Sequence, residues 1–266
     1  MSLPEPTAAG RAVITGASSG IGAALAGLLA ARGHALVLVA RREERLAELA
    51  GRLTAEHGVT VGIRPCDLAD RTARRALSTE LAGLEVTALV NNAGFATFGD
   101  LHELDPERER EEVELNVAAV HELTLAVLPG MVRRRAGAVL ITGSTAGVQP
   151  IPGQATYAAS KAFANAFSES LHGELHGTGV SCTLLAPGPV RTEFAKVAGV
   201  ESTETTVPGF VWESAQRVAE AAVAGMEKGR RRVVPGLPAR AMTLSQYVPH
   251  GVLVPVIRRV YGRIGL

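Results

Sequence analysis

Short apolar runs recur along the chain, and each is bounded by Gly, Pro, Asn or Asp. Runs without polar alternation are typical of strands that are covered on both faces of a sheet. The predicted strands cover residues 12–14, 35–40, 59–63, 88–90, 138–141, 180–185 and 232–235. Between these runs the apolar positions take helical spacing. The predicted helices cover residues 21–32, 43–57, 71–81, 106–135, 154–176 and 212–228.

Strand and helix alternate, which is typical of a parallel sheet with helices on both faces. We therefore predict an α/β fold with one doubly wound parallel sheet of about seven strands. A chain of 266 residues with 47% apolar composition can bury one large core, so a single domain is expected. We expect a flexible N-terminus at 1–10, a main domain at 11–235 with a Pro- and Gly-rich lid at about 190–212, and a basic apolar C-terminal extension at 236–266.

The net charge of +1 conceals a basic C-terminal segment, because residues 228–266 contain eight Lys and Arg and no Asp or Glu. The same segment also contains Val, Ile, Leu and Tyr. Such a segment either touches an anionic membrane surface or an acidic partner, or forms a solvated or subunit-contacting element; we favour the second interpretation. The basic residues lack interleaved aromatic side chains, so no nucleic-acid partner is predicted.

Targeting and metal-binding signals are absent from the sequence. The N-terminus is polar and no run approaches 18 apolar residues, which predicts neither a secretory signal nor a spanning helix, and hence a cytoplasmic protein. Cys66 and Cys182 have no partner at metal-ligand spacing. We therefore predict no metal site.

The first predicted strand leads into a glycine-rich turn that opens a helix, reading Thr-Gly-Ala-Ser-Ser-Gly-Ile-Gly over residues 15–22. Backbone N–H groups in such a turn approach a phosphate closely, and the helix N-terminus adds positive potential. The turn therefore indicates a site for a dinucleotide pyrophosphate. Close packing of strand against helix is the alternative interpretation.

Tyr157 and Lys161 are four residues apart in a predicted helix, so they lie one turn apart on the same face. A phenol has a pKa of about 10, and a nearby ammonium favours its phenolate form, which suits a general acid/base. An isolated pair of this kind would be an ordinary surface pair. Ser144 follows a predicted strand, at the carboxyl edge where open α/β sheets bind ligands, although a serine there is often a turn former. Gly-x-Ser-x-Gly spacing is missing, which disfavours a serine hydrolase.

Several motifs occur together in a fixed order. After the glycine turn come Asp67-Leu68, Asn91-Asn92-Ala93-Gly94, Asn116, Ser144, Tyr157-Ala-Ala-Ser-Lys161 and Pro187-Gly188-Pro189-Val190-Arg191-Thr192. Over residues 11–235 the chain resembles the short-chain dehydrogenase/reductase family, and within it an NADP-preferring carbonyl reductase. The resemblance implies a Rossmann-type fold. It also implies an NADPH-dependent oxidoreductase that reduces a carbonyl to a secondary alcohol, or runs the reverse reaction, by hydride transfer.

The resemblance assigns roles to individual residues. It implies Tyr157 as general acid/base, Ser144 as the group that orients the substrate oxygen, and Lys161 as a contact of the nicotinamide ribose. Asn116 would hold a water that relays protons, with a structural hydrogen bond as the alternative. The residues expected to bind the cofactor are Gly16, Ser18, Ser19, Gly20, Ile21, Gly22, Arg41, Asp67, Leu68, Asn92, Ala93, Gly94, Tyr157, Lys161, Pro187, Gly188, Val190 and Thr192.

The end of the second predicted strand indicates which nicotinamide cofactor is bound. NAD-binding relatives place an acidic residue there to bind the ribose hydroxyls, but this chain has Ala40 followed by Arg41 and Arg42. A guanidinium can pair with a 2′-phosphate, which a carboxylate would repel. We predict NADP(H) over NAD(H), with Arg41 as the chief contact of the 2′-phosphate. The neighbouring Arg42 can instead be solvated, and Ser18 or Ser19 can add a hydrogen bond to the phosphate.

The substrate side is less defined. The apolar residues that fall where family members form their pocket are Phe95, Phe98, Phe194, Phe210, Trp212 and the loop at 148–152. They favour a small apolar carbonyl or alcohol, although ordinary packing explains them equally well. By analogy with the family, a homodimer or homotetramer is expected. Two other hypotheses are an NADP(H)-sensing regulatory protein without turnover and a lipid-binding protein at a membrane surface.

Overall fold

Seven parallel strands form the central sheet of the computed structural model, which describes residues 2–194 and 208–264. The strands are β1 (Arg11–Thr15), β2 (Leu36–Ala40), β3 (Val61–Pro65), β4 (Val86–Asn91), β5 (Gly137–Thr142) and β6 (Val180–Leu185), with the short β7 (Val190–Arg191), β8 (Glu213–Ser214) and β9 (Arg232–Val233). In space the order is β3-β2-β1-β4-β5-β6-β9, and all neighbours are parallel. The predicted doubly wound α/β sheet is confirmed.

Helices cover both faces of this sheet. They are α1 (Gly20–Ala30), α2 (Glu43–His57), α3 (Arg71–Ala82), α4 (Pro106–Val113), α5 (Val120–Arg134), α6 (Ala155–Glu174), α7 (Ala215–Glu227), α8 (Leu237–Met242) and α9 (His250–Ile264). Successive strand residues point to opposite cores: Ile14 packs with Leu25 of α1, whereas Val13 packs with Leu123 of α5. Because both faces are covered, the strands are largely buried along their whole length, including the polar Ser181 and Thr183 of β6.

The predicted helix at 106–135 contains a local change of geometry. A π-helical segment, Glu114–Ala119, lies between α4 and α5, and the helix continues through Pro129. By length and composition this 29-residue helix could cross a membrane. However, Leu123, Val127 and Met131 are buried against the sheet, as in the core helix of a globular domain.

The predicted helix at 212–228 begins later than expected. Glu213 and Ser214 instead form β8, which pairs with β7 in a separate two-stranded sheet. The Ser214 hydroxyl then caps α7 by accepting a hydrogen bond from the Arg217 N–H at 3.2 Å. Of the predicted lid at 190–212, residues 195–207 lie outside the described residues.

Both chain ends contact the main domain. Leu3 is buried, and its N–H donates to the Met226 carbonyl at 3.0 Å. In the C-terminal extension, Ile257 of α9 packs on Ile151 and Ala158. The extension therefore lies beside the start of α6, the helix that carries Tyr157 and Lys161.

Candidate active site

The glycine turn leads from β1 into α1 and lies against the end of the neighbouring strand β4, where the strand order reverses. A Cβ at residue 22 would lie 2.2 Å from the Gly16 carbonyl oxygen, and a Cβ at residue 16 would lie 2.9 Å from the Ala93 Cα. The Thr15 hydroxyl accepts hydrogen bonds from the N–H groups of Asn92 and Ala93 at 2.9 and 3.0 Å. The turn thus has room for backbone only at its inner glycines, which is the cradle that a pyrophosphate requires.

Lys161 lies buried in the site, on the same side of α6 as Tyr157. Its ammonium donates to the Thr142 carbonyl at 3.0 Å and lies 5.8 Å from the centre of the Tyr157 ring. Burial lowers the pKa of Lys161 to about 8, although the nearby Glu112 carboxylate acts in the opposite direction. The structure therefore brings together the predicted Tyr157 and Lys161.

Asn116, in the π-helical segment, is fixed by three hydrogen bonds. Its Oδ1 accepts from the Phe95 N–H at 3.2 Å, and its Nδ2 donates to the Phe95 carbonyl at 2.9 Å and to the Ser160 hydroxyl at 3.1 Å. These are structural hydrogen bonds of the kind weighed for this residue, and they bring the loop after β4 against α6. The relay role stays a prediction.

Ser144 follows β5, and its backbone is held by the side chain of Asn165 in α6. The Asn165 amide donates to the Ser144 carbonyl at 3.0 Å and accepts from its N–H at 3.4 Å. The Ser144 hydroxyl accepts from the Ala146 N–H at 3.0 Å. Its hydrogen can still point to another acceptor, because a hydroxyl both donates and accepts.

Gly94 lies between the side chains of Asn116 and Lys161. A Cβ at this residue would lie 2.9 Å from the Asn116 Oδ1 and 3.3 Å from the Lys161 ammonium. We expect Gly94→Ala to lower activity by about tenfold or more, since displacements of about 1 Å at a reacting centre can cost about a hundredfold. Gly51 in α2 has open space around it, so Gly51→Ala is the matched control and should leave kcat unchanged. Equal kcat for both variants and the wild type would contradict this assignment.

At the end of β2 the structure distinguishes the two arginines. Arg42 donates to the Ser18 hydroxyl at 3.0 Å and to the Ser19 hydroxyl at 2.9 Å. Arg41 is instead mostly exposed and lies 3.9 Å from the Asp67 carboxylate. The sequence predicts Arg41 as the chief contact of the 2′-phosphate. In the structure, however, the guanidinium that contacts the glycine turn belongs to Arg42.

Glu193 also binds this cluster, a contact that sequence reasoning missed. Its carboxylate accepts from Arg45 at 2.6 Å and from Arg42 at 2.7 Å. These two hydrogen bonds lower the pKa of Glu193 to about 2. The next residue, Phe194, has its ring 5.8 Å from that of Tyr157. Glu193 thus connects the arginines of β2 and α2 to the segment beside Tyr157.

The remaining predicted cofactor residues lie at the carboxyl ends of the strands or in the turn. Leu68 is buried, and Ile21 packs partly on the core. The Thr192 side chain would lie 3.0 Å from a Cβ at Gly20, so the segment after β7 lies directly on the glycine turn. The Pro187 carbonyl accepts from the Thr145 N–H, and Gly188 faces Ala239 of α8.

The predicted apolar pocket residues take different environments. Phe95 is buried, with the Arg108 guanidinium 3.9 Å above its ring. Phe210 is 78% exposed. Ile151 is buried and contacts the C-terminal extension. Phe194 contacts the predicted chemistry through its ring, 5.8 Å from the Tyr157 ring, and Phe95 through its backbone hydrogen bonds to Asn116.

Comparison with known proteins identifies the family. The model of the family described as short chain dehydrogenase matches residues 11–202. The chain belongs to the short-chain dehydrogenase family. This confirms the predicted family and the enzyme class, an oxidoreductase that interconverts alcohol and carbonyl groups.

Two curated relatives of this short-chain dehydrogenase are reductases. Over 206 residues it is 36% identical to the very-long-chain 3-oxoacyl-CoA reductase of Anas platyrhynchos, covering 75% of this chain and 66% of the relative. Over 189 residues it is 41% identical to sulfoacetaldehyde reductase 2 of Chromohalobacter salexigens, covering 70% and 74%. The chain thus spans about two thirds to three quarters of their lengths.

A solved structure shares the fold over nearly the whole chain. It is a short-chain dehydrogenase from Sphingobium yanoikuyae in complex with NADPH, with a TM-score of 0.82 and 34% identity, covering 91% of this chain and 94% of that one. The Rossmann-type assignment is therefore confirmed. The alignment extends beyond the family match into the C-terminal part of the chain.

Proposed function

We propose that this short-chain dehydrogenase reduces a small apolar ketone to a secondary alcohol with NADPH, and that Tyr157 supplies the proton. The observation that carries the proposal is the buried Lys161 ammonium, which lies 5.8 Å from the centre of the Tyr157 ring and meets Asn116 at Gly94. Ser144 follows β5 at the same edge of the sheet. A binding protein without turnover has no need for a buried ammonium beside a phenol, because burying that charge is costly.

The residues at the strand edge fit a nicotinamide dinucleotide. The glycine turn offers backbone N–H groups and has no room for side chains at Gly16 and Gly22. Ser18, Ser19 and Arg42 form a cluster of donors at the end of β2, where Ala40 replaces an acidic residue. Such donors suit a 2′-phosphate. Bound there, the cofactor would supply the hydride for the carbonyl carbon.

The side chains of the site would move and hold the proton. The Tyr157 hydroxyl donates its proton to the substrate oxygen, and the Ser144 hydroxyl holds that oxygen in place. As the phenolate develops, the ammonium of Lys161 stabilises it in a low-dielectric site. Asn116 fixes the loop after β4 and the start of α6 relative to each other.

An apolar substrate is favoured by the side chains beside Tyr157. The Phe194 ring packs against the Tyr157 ring at a tilt, and Ile151 and Ala158 form an apolar cluster with Ile257. The named substrates of the two relatives, a 3-oxoacyl thioester and sulfoacetaldehyde, differ in size and charge but share a carbonyl group. The carbonyl group that these substrates share supports carbonyl reduction. The apolar side chains near Tyr157 support an apolar substrate.

A panel of carbonyl compounds tests the proposal. The purified chain is mixed with NADPH and apolar ketones, aliphatic aldehydes, anionic aldehydes and sugars, and oxidation is followed at the NADPH absorbance band. We expect the highest kcat/KM with the apolar ketones. Tight NADPH binding without oxidation by any compound would instead favour the NADP(H)-sensing protein.

We also propose a homodimer or homotetramer in the cytoplasm. Light scattering after size-exclusion chromatography measures the assembly; a monomer at micromolar concentration would contradict it.

Sedimentation with anionic vesicles tests the alternative of membrane-surface contact by the basic C-terminal extension. Recovery of the chain in the supernatant is the expected result.

A further inference from the structure

Glu112 of α4 is a fully buried carboxyl group close to the site, and its surroundings are unusual. One carboxylate oxygen accepts hydrogen bonds from the Thr97 N–H at 2.9 Å and from the Thr97 hydroxyl at 2.8 Å. The other oxygen is buried and has no hydrogen-bond partner among the described residues. Burying an incompletely bonded carboxylate destabilises a fold, so its presence requires a reason.

Glu112 and Asn116 hold the same loop at two points. They are four residues apart, about one turn of the helix, and both face the segment that follows β4. Asn116 binds both backbone groups of Phe95, and Glu112 binds Thr97. Gly94 belongs to the same segment and lies between the side chains of Asn116 and Lys161. Glu112 is therefore part of the framework that fixes the position of the site.

Two charged groups act on the Glu112 carboxyl. Lys161 acts from α6, and Glu109 from the preceding turn of α4, where it accepts a hydrogen bond from the Thr156 hydroxyl. The loop contributes Thr97, which carries no charge. Burial is the largest effect and raises the pKa of Glu112 to about 7, although the hydrogen bonds from Thr97 and the charge of Lys161 lower it. Its charge therefore changes near neutral pH.

We propose that Glu112 is a positioning residue of this reaction, which fixes the loop at 95–97 and supplies a negative charge that keeps Lys161 protonated. The loop contact depends on the shape of the side chain and its acceptor oxygen. The effect on Lys161 depends on the negative charge. The inference rests on the proposed reaction, and the two parts are separable by substitution.

Glu112→Gln removes the charge and keeps an acceptor oxygen for Thr97, whereas Glu112→Met removes both. Glu111→Gln is the matched control, because Glu111 is the neighbouring residue and its half-exposed side chain pairs with Arg108. The readout is the pH profile of kcat for ketone reduction between pH 5.5 and 9.5. At pH 6 Glu112 is mostly neutral in the wild type, so the Gln variant should match it there.

Above pH 7 the Gln variant should lose activity earlier than the wild type. Without the negative charge, Lys161 gives up its proton more readily. We expect the alkaline limb of kcat to move about one pH unit lower, as nearby opposite charges shift a pKa by about 1–3 units. At pH 9 this corresponds to a loss approaching tenfold, with the Glu111→Gln profile unchanged.

Thermal unfolding gives a second readout that needs no turnover. The pKa of Glu112 in the folded chain lies near 7, above its ordinary value of 4.5. Stability from the protonated group is therefore fully present below about pH 4.5 and is lost as the pH rises to about 7. The Tm of Glu112→Gln relative to the wild type should accordingly increase from pH 5 to pH 8.

The outcomes separate the two parts of the inference. Superimposable pH profiles of Glu112→Gln and the wild type would overturn the effect on Lys161. A Glu112→Met variant with wild-type kcat at pH 6 would overturn the positioning of the loop. If the Met variant does not fold, the Gln variant still tests the charge. If the wild type turns over no carbonyl compound, the proposed function fails, while the Tm comparison still reports whether Glu112 titrates near pH 7.

Discussion

Tyr157→Phe is expected to lower kcat for ketone reduction by about a thousandfold, since a positioned general acid contributes about 10²–10⁴-fold. Phe fills the same space and keeps the ring contact with Phe194, but it carries no proton for the substrate oxygen. Affinity for NADPH should change by less than about threefold, because the ammonium of Lys161 remains fixed by the Thr142 carbonyl.

Single-turnover measurements of NADPH oxidation and fluorescence titration of NADPH binding test this pair of expectations. Tyr247→Phe is the control, because it makes the same chemical change on a side chain that is 78% exposed. It should retain wild-type kcat. A Tyr157→Phe variant with kcat near that of the wild type would show that the proton comes from another group.

Arg42→Ala is expected to weaken NADPH binding by about 10- to 100-fold and to leave NADH binding within about threefold. The range follows from the loss of one charge-assisted hydrogen bond, worth about 1.5–3 kcal/mol. Arg42 is the guanidinium that already meets both serines of the glycine turn. Arg41→Ala should also discriminate against NADPH, but less, because Arg41 lies farther out beside Asp67.

Arg45→Ala provides the control for the Arg42 variant. Arg45 binds the same carboxylate, Glu193, at 2.6 Å, while Arg42 alone of the two also contacts the serines. Dissociation constants for NADPH and NADH are measured for all three variants. Equal losses of affinity for NADPH and NADH in Arg42→Ala would show that Arg42 does not bind the 2′-phosphate. A loss in Arg45→Ala that is equally selective for NADPH would show the same.

The sheet was predictable because its strands are covered on both faces, so that their sequences are largely apolar, as in Leu36–Ala40. The positions of Tyr157 and Lys161 followed from helical spacing, and their meeting with Asn116 from the order of family motifs. Short strands such as β8 were missed, because two residues carry too little pattern to distinguish them from the first turn of a helix.

Glu112 and Arg42 show why other parts of the site were not predictable. Glu112 lies in the run Glu-Arg-Glu-Arg-Glu-Glu-Val-Glu, which reads as a solvated helix face, and its burial depends on the loop that folds over it. The spacing of four residues to Asn116 was the one available signal. Adjacent arginines after a strand point in different directions. Which of them contacts the serines depends on where α2 begins, and this is set by tertiary structure that the sequence pattern does not show.

The hydrogen bonds from Arg42 and Arg45 to Glu193 affect how the coenzyme preference of this enzyme can be redesigned. Glu193 lies between Thr192, on the glycine turn, and Phe194, on the Tyr157 ring. An anionic phosphate and this carboxylate would compete for the same guanidinium. Mutating Arg42 to change the coenzyme preference would therefore also remove a hydrogen bond that holds the segment beside the Tyr157 phenol. An NADH-using variant should accordingly be tested again for its ketone specificity.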